Sequence, residues 1–148
     1  MASIPLYRRK SAAIDKRVGD LLRRMTLEEK VAQLESTFRQ KVMGRDANGH
    51  EALDPGRIER TYPHGLGRIC AMMHSLSVAD GPRTANALQR VFLEYTRLKI
   101  PVLFDCEALH GCVAPGSTSY PQAIGLAATW NPALLEEIDT AIGREVRA

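Results

Sequence analysis

Ile100-Pro101-Val102-Leu103-Phe104 is an unbroken apolar run set between a helical stripe and a cluster of polar residues. A run of this length without polar alternation predicts a strand buried on both faces. Such strands belong to parallel sheets covered by helices. Pro101 fits only near the strand start, because it has no amide to donate to a ladder. Upstream, Leu88, Val91, Phe92 and Tyr95 recur at i, i+3, i+4 and i+7, predicting a helix from near Pro82 to near Leu98. Before that helix, residues 65–72 read as a second short buried strand. Strand, helix and strand in this order define a βα alternation, and hence an α/β fold.

The flanking segments extend the pattern. Asp15 is a candidate cap for a helix through Val18, Leu21 and Leu22 to about Met25, weakened by Gly19. Thr26-Leu27-Glu28-Glu29 has the spacing of a capping box and opens a short helix with Leu27, Val31 and Leu34 on one core-facing stripe. Over residues 39–64 the periodicity is lost among Gly44, Asn48, Gly49, Asp54, Pro55, Gly56 and Pro63. This predicts a long irregular connection, either a surface excursion or a ligand-facing loop. Residues 105–129 are turn-rich. Asn131 then caps a last helix with Pro132 at its first position and Leu134, Leu135, Ile138, Ile142 and Val146 on its buried face. Two βα units close nothing, since a barrel needs eight strands and about 250 residues. With no stop signal after Arg147, the expectation is the N-terminal portion of a (β/α)8 TIM-type barrel, incomplete in this chain. A tail is expected over residues 1–13 and the barrel part over 14–148.

Composition narrows the function. At 148 residues, 45% apolar and 25% charged, the chain has enough apolar material for a core. A net charge of +3 with 5% aromatic residues gives no basis for nucleic-acid binding, and no apolar run is long enough to predict a membrane span. Met1 to Lys10 lacks the apolar stretch of a signal peptide, so the compartment is cytoplasmic by default, or extracytoplasmic if a leader has been processed. Cys70, Cys106 and Cys112 are odd in number, so they read as free buried thiols.

The chemistry is concentrated in Phe104-Asp105-Cys106-Glu107-Ala108-Leu109-His110-Gly111, at the C-terminal end of the strand 100–104. Ligands bind at that end in parallel α/β folds. An ionised carboxylate accepts hydrogen bonds only, which suits the paired hydroxyls of a sugar. The competing reading has Asp105 or Glu107 capping a turn and His110 hydrogen-bonded in the core. A zinc site drawn from Cys70, His74, Cys106, His110 and Cys112 is disfavoured by the absence of any CxxC pair, and no metal is expected. Gly65-x-Gly67 lacks the dinucleotide pattern, and Gly116-Ser117 lacks that of a nucleophile elbow. Trp130 reads either as a sugar-stacking residue or as a packing anchor.

Several segments together resemble the N-terminal part of glycoside hydrolase family 3, the β-glucosidases and β-xylosidases. They are Asp20-Leu21-Leu22-Arg23-Arg24-Met25-Thr26-Leu27-Glu28-Glu29-Lys30-Val31, the strand 100–104 leading into Glu107-Ala108-Leu109-His110-Gly111, Tyr120-Pro121-Gln122-Ala123-Ile124-Gly125-Leu126-Ala127-Ala128-Thr129-Trp130-Asn131-Pro132, and Gly143-Arg144-Glu145-Val146-Arg147. The resemblance runs from about residue 14 to the end, apart from residues 39–64.

The resemblance implies a (β/α)8-type barrel followed by an α/β sandwich domain, together with a retaining mechanism that needs no metal or organic cofactor. That mechanism uses two carboxyl groups about 5 Å apart, one as nucleophile and one as acid/base. Both match positions beyond residue 148, so no residue here is expected to be catalytic, Asp105 and Glu107 included. Glu107 matches the family's substrate-binding acid, which accepts hydrogen bonds from hydroxyls of the non-reducing-end sugar. Many β-glucosidases have Asp there. Glu is one methylene longer and crowds a hexose hydroxymethyl group, which tilts the expectation toward a β-xyloside, with a β-glucoside second. His110 is expected to shape the loop. The implied partners are a β-linked oligosaccharide or glycoside and the remainder of the barrel with its second domain. The alternative for the chain as it stands is a noncatalytic carbohydrate-binding or assembly module.

Overall fold

A computed structural model describes residues 4–72, 74, 76–77 and 79–147. Its centre is a parallel sheet of three strands in the order β1 (Ser36–Phe38), β4 (Arg68–Cys70), β5 (Leu103–Phe104). Ser36 pairs with Arg68 and Arg68 with Leu103. The sequence predicts only two of these strands. Ser36-Thr37-Phe38 carries no apolar run, and its place in the sheet comes from pairing with β4 rather than from its own composition.

Both crossovers are helical. Between β1 and β4 lie α3 (Arg39–Val42), an antiparallel hairpin of β2 (Met43–Arg45) with β3 (Glu51–Leu53), and α4 (Pro55–Thr61). The irregular connection expected over residues 39–64 is therefore structured. Its Gly and Pro residues are element signals: Asp54 Oδ1 accepts from the Arg57 amide at 2.9 Å as an N-cap, with Pro55 at the first helical position. Between β4 and β5 runs α5 (Asp80–Tyr95), which buries Leu88, Val91 and Phe92 as its stripe predicts. It stops at Tyr95 rather than near Leu98, because Thr96 turns extended and donates its hydroxyl back to the Phe92 carbonyl.

The two faces of the sheet differ. Ile69 and Val102 are fully buried against the helices, with Val42, Ile58, Leu66, Leu88 and Phe92. Their neighbours of opposite parity, Phe38 and Leu103, are 60% and 69% exposed. The expectation that residues 100–104 are buried on both faces is corrected accordingly: the helix-facing side is covered, and the other side, the lumen in a barrel, is open. The second expected strand is also shorter than residues 65–72. Gly67 lies so close to α2 (Leu27–Ala32) and its C-terminal turn that a Cβ there would sit 2.1 Å from the Gln33 carbonyl oxygen.

The N-terminal helices pack by polar contacts. α1 (Ile14–Arg24) is capped at Ala13 without a side chain, so Asp15 is not its cap but an acid in its first turn, favourable to the helix dipole. The tail expected over residues 1–13 is attached over its described residues. Leu6–Arg8 form one 3-10 turn, the Tyr7 amide donates to Asp20 at 3.0 Å, and its hydroxyl donates to the Leu98 carbonyl at 2.9 Å. In α2 the capping box is present, with Glu29 N to Thr26 Oγ1 at 3.2 Å and Thr26 N to Glu29 Oε2 at 2.9 Å. Its buried side is Glu29 and Ala32. Leu27, Val31 and Leu34 are exposed, contrary to the core stripe expected of them.

After β5 the turn-rich stretch holds one short helix, α6 (Ala123–Ala127), and then α7 (Pro132–Arg147). Asn131 Oδ1 caps α7 by accepting from the Leu134 amide at 3.1 Å. Of the buried face predicted for α7, Ile142 is buried, Leu135 and Ile138 are half-buried, and Leu134 and Val146 are exposed.

Candidate functional site

Asp105 is the first residue beyond β5, and β4 with the turn after it holds both its backbone and its carboxylate. Its amide donates to the Ile69 carbonyl at 3.2 Å, and its carbonyl accepts from the Met72 amide at 3.1 Å. Its carboxylate oxygen Oδ2 lies 3.1 Å from Arg68 Nε and 3.8 Å from the Cys70 thiol. Asp105 thus anchors the chain as it leaves the sheet, and among the described residues it caps no turn.

Glu107 follows two residues later, exposed, with no hydrogen-bond or ion-pair partner among the described residues. An acceptor-only group in this state is available to a ligand. His110 is half-buried and its carbonyl accepts from the Tyr120 amide at 2.7 Å. The loop then closes on itself. Gly111 has φ +111°, and a Cβ there would lie 2.1 Å from the Thr118 carbonyl oxygen. Thr118 in turn donates its amide (3.1 Å) and hydroxyl (2.6 Å) to Glu145 of α7. The loop after Glu107 is therefore pinned at both ends, by the sheet and by the last helix. His110, Cys112, Val113, Ser117 and Thr118 line an open cleft on it.

The cysteines do not pair. Cys106 and Cys112 line one cavity with Leu76, Pro82 and Glu145. Burial, then the neighbouring Cys112 thiol and the Asp105 carboxylate, push the Cys106 thiol up from its ordinary value, so it stays protonated near neutrality. Among the described residues no three metal-type side chains converge. Among them, too, no helix is long and apolar enough to cross a membrane. Trp130 is 91% exposed at φ +52°, so it anchors no packing among the described residues.

Arg39 and Arg68 escape the sequence reading, and His74 enters it only as a disfavoured zinc ligand. Arg39, just past β1, is almost fully buried. It pairs with Glu51 of the hairpin and donates to the His74 carbonyl at 2.8 Å, tying together the loops after β1 and β4. Arg39 Nε and His74 Nε2 are buried without a partner among the described residues. Only recognition of β1 and of the β4 register would have placed these residues at the ligand end of the sheet.

The fold and this acidic edge define a class: the opening strands of an α/β barrel, with carboxylates at the strand ends where barrel proteins bind ligands. The description "Glycosyl hydrolase family 3 N terminal domain" matches residues 26–148, from the capping threonine onward. The chain belongs to that family. A Formosa agariphila protein that carries a provisional beta-xylosidase name is 33% identical over 141 residues, covering 95% of this chain and 18% of that protein. Beta-glucosidase C of Emericella nidulans is 29% identical over 144 residues, covering 91% of this chain and 22% of that protein. The solved structure of a b-glucosidase, EmGH1, from Erythrobacter marinus matches with a TM-score of 0.66 at 28% identity, covering 89% of this chain and 17% of that one. The chain thus spans about a fifth of the length of the curated relatives it matches.

Proposed function

We propose that this chain supplies the first three strands of the barrel of an exo-acting β-glycosidase. In the complete protein it would help release terminal, non-reducing β-D-xylosyl or β-D-glucosyl residues by a retaining mechanism. The observation that carries the reading is the Glu107 carboxylate, exposed and unpartnered among the described residues, on a hydrogen-bonded loop at the C-terminal end of β5. Its role is substrate binding: it accepts hydrogen bonds from hydroxyls of the non-reducing-end sugar. The nucleophile and the acid/base come from barrel and second-domain segments beyond these residues, so the 148 residues alone turn nothing over.

Glu107 also bears on which sugar is preferred. The longer arm of Glu occupies space that Asp leaves for a hexose hydroxymethyl group, which favours a pentoside. One methylene is worth about 1–3 kcal/mol of discrimination, so the preference is graded rather than absolute. Two names among the relatives, a provisional beta-xylosidase and a beta-glucosidase, agree with that range.

The test is steady-state kinetics of the complete protein on nitrophenyl β-xyloside and β-glucoside. Glu107→Gln should lower kcat/KM about 10- to 100-fold, the range of a lost charged hydrogen bond. Glu107→Asp should move the xyloside-to-glucoside ratio toward glucoside by about tenfold. Unchanged kinetics in both variants would remove Glu107 from the site.

A further inference from the structure

Asp105, two residues before Glu107, makes four contacts to β4 and the turn just after it, more than anchoring the backbone requires. Its amide and carbonyl are spent on Ile69 and Met72, which already fix the backbone. The carboxylate adds a second tie, to Arg68 Nε at 3.1 Å. Arg68 pairs in register with Leu103, so it sits on the open face of the sheet, the side opposite Ile69 and the helices. Asp105 shares the parity of Leu103, and the ion pair therefore lies on the prospective lumen, at the ligand end.

This is an unusual place for a pair retained for stability alone. Arg68 is half-exposed, and pairs with that much solvent access add little to stability. The backbone bonds to β4 hold the strand without it. What the pair adds is a side-chain tie: it holds the Asp105 carboxylate against β4, two residues before Glu107. Positioning to within a fraction of an ångström is what a binding carboxylate requires.

We propose that Asp105, paired with Arg68, is a positioning residue that sets the location of the Glu107 carboxylate and with it the discrimination between pentoside and hexoside. The inference rests on the proposed role of Glu107 and assigns neither residue a contact with substrate. Asp105 acts through the two-residue link to Glu107, and Arg68 acts through Asp105.

The experiment is kinetics of the complete protein carrying Asp105→Asn, Arg68→Gln, Arg68→Lys, the pair Asp105→Asn with Arg68→Gln, and Glu107→Gln. Nitrophenyl β-xyloside and β-glucoside are the probes. Asp105→Asn and Arg68→Gln should each raise KM about tenfold with kcat changed about twofold or less, the pattern of lost ground-state positioning. Each should also bring the xyloside-to-glucoside ratio about threefold closer to one, since a loosened carboxylate discriminates less. The double variant should be no worse than either single one, because both break the same link. Arg68→Lys should restore most of the loss. A purely structural role would lower the melting temperature and leave the ratio alone, and that outcome overturns the proposal. If Glu107→Gln is impaired while Asp105→Asn and Arg68→Gln match wild type, the positioning proposal fails and the role of Glu107 stands. If Glu107→Gln itself matches wild type, both fall. Arg68→Gln keeps the test open should Asp105→Asn fail to fold, since the Arg68 side chain is half-exposed.

Discussion

Gly111 and Gly49 show how position decides what a residue tolerates. Both have positive φ, +111° and +82°. A Cβ on Gly111 would meet the Thr118 carbonyl oxygen at 2.1 Å, whereas nothing lies within 4 Å of one on Gly49. Gly111→Ala should therefore open the loop behind Glu107, costing about 1–3 kcal/mol in backbone strain alone. In the complete protein this should appear as a lower melting temperature together with a raised KM for xyloside. Gly49→Asn, at the tip of the β2–β3 hairpin, should change both by little, because Asn accepts the left-handed region. Cys106 gives a chemical counterpart. With its thiol pushed up by burial, it should react with iodoacetamide more slowly at pH 8 than a free cysteine does, and mass spectrometry of the modified peptides would show this.

At the scale of elements, the junction of α1 and α2 is held by one carboxylate with several partners. Glu29 completes the capping box and also accepts from Arg97 beyond α5, at 3.0 Å through Nε and 2.6 Å through a terminal nitrogen. Burial pushes its carboxyl up, but the Arg97 guanidinium and the Thr26 amide outweigh burial and hold it below the ordinary value of 4.5. A depressed carboxyl contributes its stability in full above pH 4.5 and loses it as pH falls through the lower folded value. Protection of the α2 amides, corrected for intrinsic exchange, should therefore decline on acidification below that point. Glu29→Gln should flatten the decline and cost about 1–3 kcal/mol at neutral pH. The capping box was legible in the sequence because its partners lie three residues apart. The Arg97 contact was not, because it joins residues 68 positions apart. The same distinction explains the strands. The apolar run 100–104 announces β5, although only Leu103 and Phe104 pair as strand, while Ser36-Thr37-Phe38 become a strand only against β4. The motif that carries Glu107 is contiguous in the sequence, whereas the pairing of Arg68 with Asp105 is visible only from the sheet register.

Across the whole molecule, the described residues leave one sheet face and two helical stripes uncovered. Phe38 and Leu103 stand on the open face, Ile14, Val18 and Leu22 along α1, and Leu27, Val31 and Leu34 along and just past α2. The two edge strands, β1 and β5, are unpaired on their outer sides among the described residues. A set of apolar surfaces and strand edges of this kind favours association over a cooperative monomer. Calorimetry of the isolated 148 residues should show a broad transition with concentration-dependent association, and a sharp transition in a monodisperse monomer would contradict it. We propose that these residues bind the sugar and leave cleavage of the bond to groups elsewhere in the complete protein. Hydrolysis of nitrophenyl β-xyloside, compared between the complete protein and the isolated 148 residues, tests it most directly. Turnover by the complete protein and none by the isolated chain is the expected result. Turnover by the isolated chain that disappears in Glu107→Ala would place the catalytic groups among these residues and contradict it.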